Sequence, residues 1–349
     1  MELVLGLLIF SFCVTSALIV PFIDTLYQLR FQRQKQVTID AFGKRTEIFD
    51  KFHSHKAGVP VGGGLLLIVV ISAVFGLIFP VLKFLGITVT NVYPLLPEIT
   101  ILFFTFLSFG LIGLYDDVKK FFGWKQSRFF GLRMRHKLAL QMACATISAS
   151  MMYFWLEITF IHIPFLGQIH LGPLFIAYAA FVIVAFANAV NITDGLDGLA
   201  GGVLLFCFFG LWVLSSSIVD TTMAIFISLT IGSLIAFLYF NIFPARIFMG
   251  DVGALAFGAI LAVLGLLLGK SIALIIIGGI FVAEISSSLL QLLSKRFRKK
   301  KLMPVAPLHL WLQLVGWEEP KIVMRAWITG IILTALGVWI AMLHYSPVY

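Results

Sequence analysis

Charge is scarce in this chain. Only 12% of its 349 residues are Asp, Glu, Lys or Arg, about half the ~25% usual in a soluble globular domain. With 60% hydrophobic residues and a mean hydropathy of +1.05, that shortage excludes a soluble fold and leaves an integral membrane protein. The alternating ~10-residue segments of a membrane β-barrel are missing, whereas apolar runs near the ~20 residues needed to cross a bilayer recur. The expected fold class is therefore an all-α integral membrane protein. Cysteine is scarce too: Cys13, Cys144 and Cys207 each fall inside an apolar run, where a thiol acts as a small hydrophobe, so neither a disulfide framework nor a zinc site is expected. No internal repeat or low-complexity linker interrupts the sequence, and residues 1–349 read as one polytopic domain. The first apolar stretch, Leu3 to Val20, has Glu2 in place of a basic leader and reads as a retained helix.

Spans are expected at roughly 3–23, 61–85, 98–115, 138–160, 174–190, 199–217, 221–241, 253–269, 271–293 and 323–343. Ten crossings place both termini on one face and the segments 24–60, 115–137, 191–198, 242–252 and 294–322 on the other. Counting Arg325 at the entry of the last span, those segments hold all of the 25 Lys and Arg residues except Lys83 and Lys270. The bias of positive charge toward the cytoplasm puts these segments there and both termini outside. The net charge of +9 is then topology plus attraction to anionic headgroups, and nucleic acid is not needed to explain it. Between the fourth and fifth spans, Ile161 to Pro173 carries the Pro, Gly and alternating apolar pattern of a small hairpin.

Acidic residues number only 16, yet five of them lie in three short clusters at one edge of the expected bundle. Asp116 and Asp117 stand side by side at the end of a span, where two carboxylates repel unless a cation gathers them; a solvated helix end is the plain alternative. In NAVNITDGLDG (188–198), Asn191, Asp194 and Asp197 recur every third residue, which on a helical turn brings their oxygens toward one face. The glycines beside them permit a tight turn or close approach to a bulky anion, and an ordinary cap and turn would use the same residues. Asn241, Phe248 and Asp251 form the third cluster, in which Asp251 also suits the positive end of a helix. Hard oxygen donors without a His and Cys cage favour magnesium or manganese, with substrate phosphates completing the shell. Lys56, Lys120, Lys137, Arg246 and His309 are candidates to stabilise phosphate charge. Glu284 is costly in lipid and is expected to face the bundle, paired with a serine or with Gln291, while the glycines of Val61 to Gly64 suit close helix packing.

GLYDDVKK, NAVNITDGLDGLAGG, FMGDVGALAFG and APLHLWLQLVGWEEPKIVMRAWI together resemble, in order and spacing, the polyprenyl-phosphate N-acetylhexosamine-1-phosphate transferase superfamily (glycosyltransferase family 4), closest to its lipid I-forming branch. The resemblance covers nearly the whole chain. It implies ten transmembrane helices, magnesium dependence, and transfer of a phospho-sugar from a UDP-linked amino sugar to undecaprenyl phosphate, a polyprenyl phosphate lipid, at the cytoplasmic face of the plasma membrane. A homodimer is a family expectation. Matched onto the family motifs, Asp116 and Asp117 fall on the acidic pair, Lys120 and Lys137 on the lysines that follow, Asn191 and Asp197 on the Asn-to-Asp motif, and Asn241, Phe248 and Asp251 on the loop tied to donor and metal. Lys56, Gly58, Pro60, Gly62 and Gly63 resemble a Lys-x-Gly-Thr-Pro-Thr-x-Gly-Gly segment, with Val59 and Val61 in place of both threonines. The lipid I branch carries three consecutive histidines and then Phe-Glu where this chain reads His309-Leu310-Trp311-Leu312-Gln313.

The expected reaction is attack of the lipid phosphate on the β-phosphorus of the UDP-sugar with departure of UMP. Asp116, Asp117 and Asp251 are the catalytic candidates. Lys56, Lys120, Lys137, Asn191, Asp197, Asn241, Phe248 and His309 are the substrate-binding ones, and Asp251 with Asp197 the metal ligands. Another UDP-sugar, such as an N-acetylglucosamine donor for a different surface glycan, is the runner-up. A lipid or solute transporter is the rival of another class, disfavoured because the charge sits at the bundle edge rather than mid-span.

Overall fold

The computed structural model describes residues 2–32, 56–122, 132, 134–164 and 166–343. The long helices are α1 (Glu2–Gln28), α2 (Gly63–Phe84), α3 (Leu95–Phe122), α4 (Met134–Trp155), α5 (Leu174–Thr193), α6 (Leu199–Ser217), α7 (Thr221–Asn241) and α8 (Gly250–Leu267). The short α9 (Ser271–Ile277) leads into α10 (Gly279–Leu293), and α11 (Leu308–Leu314) precedes α12 (Glu319–Met342). Among the described residues, 9 helices are long and apolar enough to span a bilayer. The expected ninth span is instead a broken pair, α9 and α10 with its π-helical end, bent by 84°. Gly278 sits at the break, where a β-carbon would lie 2.6 Å from the Phe186 ring of α5, so the bend lets α10 pack against α5. The chain is a multi-pass, all-α membrane protein. The expected hairpin is present as β1 (Phe160–Ile163) and β2 (Gly167–His170), antiparallel with Phe160 opposite His170.

α8 is the axis of the bundle, buried along nearly its whole length, with α2, α3 and α5 packed around it. Lipid offers no hydrophobic drive for helices to associate, so close van der Waals fit has to do so, and small residues permit it. Gly64 of α2 meets Gly253 of α8, Gly113 of α3 lies against the backbone of Asp251 and Val252, and Gly258 of α8 lies against Phe186 and Ala187 of α5. Two of these three approaches fall within one turn of Asp251. α1 lies against α7 through Ser11, whose hydroxyl donates to the Leu229 carbonyl at 2.5 Å and meets Ser233 at 2.8 Å.

Candidate functional site

At one end of the bundle, α3 delivers Asp116, Asp117 and Lys120 on one face, because residues three and four apart stack along a helix. Both aspartates are buried, a costly arrangement unless positive partners share the space. Lys120 supplies one, with its ammonium 3.2 Å from Asp116, 3.7 Å from Asp117 and 2.8 Å from Asp251. Lys137, in the first turn of α4, supplies the other: it donates to Asp116 at 3.0 Å and to Asp251. Backbone donors complete the set. Leu132 N–H donates to Asp116 at 2.6 Å, and Val252 N–H to Asp117 at 3.1 Å. Asp117 thus satisfies a free N–H at the start of α8, where Asp251 also sits in the first turn at the positive end of the helix dipole. The turn that sets Asp251 there requires glycine: Gly250 has φ +78°, and a β-carbon would lie 2.8 Å from Asp117 Oδ2.

A second group of charges surrounds Lys56. Its ammonium is 2.7 Å from Asp197 and 2.6 Å from Glu319, and it donates to the Gly195 carbonyl at 3.1 Å. It also lies 5.7 Å from the centre of the Phe248 ring. Asp197 accepts from Ala245 N–H at 2.9 Å through its other oxygen, while its own N–H donates to Glu319 at 2.6 Å. Asn241 braces two loops, accepting from Gly198 N–H at 3.2 Å and donating to the Ile247 carbonyl at 2.8 Å. Of the candidates, Lys56, Asp197, Asn241 and Phe248 therefore share one polar network, and Asp116, Asp117, Lys120, Lys137 and Asp251 the other. Arg246 lies over the Phe240 ring at 5.5 Å.

Asp194 joins the two groups. It caps the C-terminus of α5, one turn beyond the half-buried Asn191. Burial pushes its carboxyl up to about 8; the negative charges of Asp251 and Asp117 add to the rise, and Lys56 and the Gly250 N–H oppose it. Asp197, expected to serve with Asp251 as a metal ligand, is held by Lys56, whereas Asp194 is the aspartate whose charge is coupled to Asp251. The every-third-residue spacing had already placed Asp194 on that face; Glu319, by contrast, had no motif around it to mark it out.

His309, in α11, is buried against the same loop. Its Nδ1 lies 3.0 Å from Glu284 Oε2, and its N–H donates to Glu284 Oε1 at 3.1 Å. The Glu284 carboxylate therefore pairs with His309, not with a serine or with Gln291 as its neighbourhood in the sequence suggested, because α11 folds back over α10. A carboxylate at that position accepts the Nδ1 hydrogen and leaves the Nε2 edge toward Gly195, where a β-carbon would lie 2.6 Å from it. Leu310 is buried next to it and Trp311 is exposed.

Fold and site together define a polytopic membrane protein that gathers aspartates and lysines from α3, α4, α5 and α8 at one end of its bundle. This chain belongs to glycosyl transferase family 4, whose model matches residues 99–269, a span that includes Asp116, Asp117, Asp194 and Asp251. It is 34% identical to a phospho-N-acetylmuramoyl-pentapeptide-transferase of Staphylococcus carnosus over 96% of this chain and 98% of that protein. Proteins of the same name from Bacillus subtilis and Staphylococcus aureus are 35% and 36% identical, over 83% and 82% of this chain and 86% and 87% of their own lengths.

Proposed function

We propose that this enzyme, a phosphotransferase, moves phospho-N-acetylmuramoyl-pentapeptide from its UDP donor to undecaprenyl phosphate, giving lipid I and UMP for peptidoglycan synthesis. The observation that carries this reading is the convergence of Asp116, Asp117, Asp194 and Asp251 with Lys120 and Lys137, in a chain matched over nearly its full length by transferases of that name. We read residues 1–349 as one transferase domain of the plasma membrane, with the site facing the cytoplasm and the termini outside, as the Lys and Arg distribution favours. A homodimer fits the family.

The donor set suits magnesium. All four carboxylates are hard oxygen ligands, and the Asp194 carboxyl is raised first by burial and then by the charges of Asp251 and Asp117, which a divalent cation would offset. Among the described residues no cluster of three or more His, Cys, Asp or Glu side chains is placed to hold a metal ion; Lys120 and Lys137 sit between the aspartates. We assign Asp251 and Asp194 to hold the ion, and Asp197 to orient Lys56. Bound there, magnesium offsets charge on the diphosphate. In the reaction a lipid phosphate oxygen forms a bond to the β-phosphorus of the donor, and the bond from that phosphorus to the bridging oxygen breaks, so the electron pair leaves with UMP. Lys120 and Lys137 stabilise charge on the transferring phosphate, and Lys56 and His309 hold the donor against the 194–198 loop. A phosphate monoester with a second pKa near ~6 is mostly dianionic at neutral pH, so direct attack needs no general base.

A second donor is favoured by one observation: Leu310 and Trp311 stand where the lipid I branch carries histidines. Transfer of N-acetylglucosamine-1-phosphate or a related sugar phosphate for another surface glycan would follow. The experiment is UMP release by purified protein with undecaprenyl phosphate, magnesium and a panel of UDP-sugars, alongside Asp251→Ala. Release from UDP-N-acetylmuramoyl-pentapeptide that the variant abolishes supports the first reading, release from another donor alone supports the second, and no release from any donor sinks both.

A further inference from the structure

α10 has two unlike faces. Glu284, Ser287 and Gln291, spaced three and four residues apart, form one stripe, and every member holds the segment that carries His309. Glu284 takes the His309 N–H, and Ser287 Oγ accepts from Leu308 N–H at 3.1 Å. Gln291 accepts from the N–H groups of Leu302 and Met303 at 2.9 Å each and donates to the Met303 carbonyl at 2.7 Å. Elsewhere on its surface, Leu289, Leu290 and Leu293 are exposed, and Phe297 in the π-helical turn is 75% exposed. Interleaved with Phe297 come Arg296, Arg298, Lys299, Lys300 and Lys301, all exposed, and no acidic residue occurs between Glu284 and Glu318. The turn has a fixed shape: Ser294 Oγ donates to the Lys300 carbonyl at 3.0 Å, and Lys299 adopts φ +53°.

We propose that α10 and its basic turn form a docking platform for anionic phospholipid headgroups of the leaflet on the site's side, and that this contact steadies the His309 segment from behind. It rests on the membrane orientation proposed above. The bend of 84° at Gly278 turns α10 away from the line of α9, so it reaches the site's side obliquely and ends in the exposed basic turn. An apolar strip beside a cationic edge is the pattern that enters the headgroup boundary, with leucine and phenylalanine reaching acyl chains and lysine and arginine meeting phosphates. A water-soluble acidic partner would leave Phe297 and the three leucines uncovered, whereas a bilayer covers both.

The test uses the full chain with Phe297→Trp in proteoliposomes containing either bromine-labelled phosphatidylglycerol or bromine-labelled phosphatidylcholine, with the unsubstituted chain as background. Quenching is expected to be stronger with the phosphatidylglycerol. That preference should be lost when Arg298, Lys299, Lys300 and Lys301 are all replaced by glutamine. Equal quenching by the two lipids, or a preference that the glutamine variant retains, overturns the proposal. Shielding from both lipids also overturns it, because a second protein surface would then cover the face. Loss of the preference on adding inorganic phosphate at constant ionic strength would assign the turn to a soluble anion instead. This readout needs no turnover, so its failure is distinguishable from failure of the transferase reading. In the same vesicles, UMP release should rise with the phosphatidylglycerol fraction in the parent and stay flat in the glutamine variant.

Discussion

The two charged groups at the site end differ in how their carboxylates are satisfied. Around Lys56, backbone groups take part at every step: Asp197 accepts from Ala245, Glu319 from the Asp197 N–H, and Lys56 donates to Gly195. Such a network is locked to main-chain positions and holds loops. Around Lys120 and Lys137, Asp116 and Asp117 each accept from one backbone N–H, but three aspartates share two ammonium groups brought by separate helices, and Asp194 is left with a carboxyl pushed up to about 8 by burial and by Asp251 and Asp117. Partners of that kind are held by side chains more than by main-chain positions. A membrane enzyme thus separates the charge that shapes its site from the charge that does its chemistry.

Substitution tests that contrast directly. Asp251→Ala is expected to lower UMP release by about 10²–10³-fold, the scale of removing one group that stabilises transition-state charge, with an unchanged melting temperature in detergent. A lowered melting point in that variant would mean Asp251 belongs to the locked class. Lys56→Met should lower UMP release and, unlike Asp251→Ala, also destabilise the fold by about 3–5 kcal/mol because it leaves Asp197 and Glu319 buried without the Lys56 cation; thermal melts read this. Gly250→Ala forces a side chain into φ +78° beside Asp117, at a cost of about 1–3 kcal/mol, and should lower activity and stability together.

The last contrast is the most discriminating. Folding raises the Asp194 carboxyl from 3.8 to about 8, so the folded chain holds a proton that the unfolded chain releases. The resulting stability is complete at pH below 3.8 and is progressively lost as pH rises toward 8. In metal-chelated buffer the parent's melting temperature should therefore fall across that window relative to Asp194→Asn, which should also lose UMP release. Parallel pH curves for the two proteins would show that Asp194 is not held up.

Periodicity and length made most of the helices legible, because in lipid each backbone group must be satisfied within its own segment, and a run of ~20 apolar residues leaves few alternatives. The break within the ninth span was not legible, because an apolar count does not register a bend that depends on Phe186 of another helix packing over Gly278. Asp116, Asp117 and Asp251 stood out in the sequence because acid is rare and costly there. Glu319 did not, since its buried role depends on Lys56, 263 residues away, and Glu284 was matched to a nearby serine or Gln291 when its carboxylate's partner was His309.

By itself, then, the sequence determined a membrane bundle, the edge at which its charge collects and the kind of chemistry hard oxygen and ammonium groups support, since these follow from composition and local spacing. Only the tertiary structure decided which carboxylate meets which cation. Those choices are made between helices distant in sequence, by glycine-sized gaps that let α3 and α8 approach closely enough for Asp117 to reach the Val252 N–H; spacing along a single helix does not encode them.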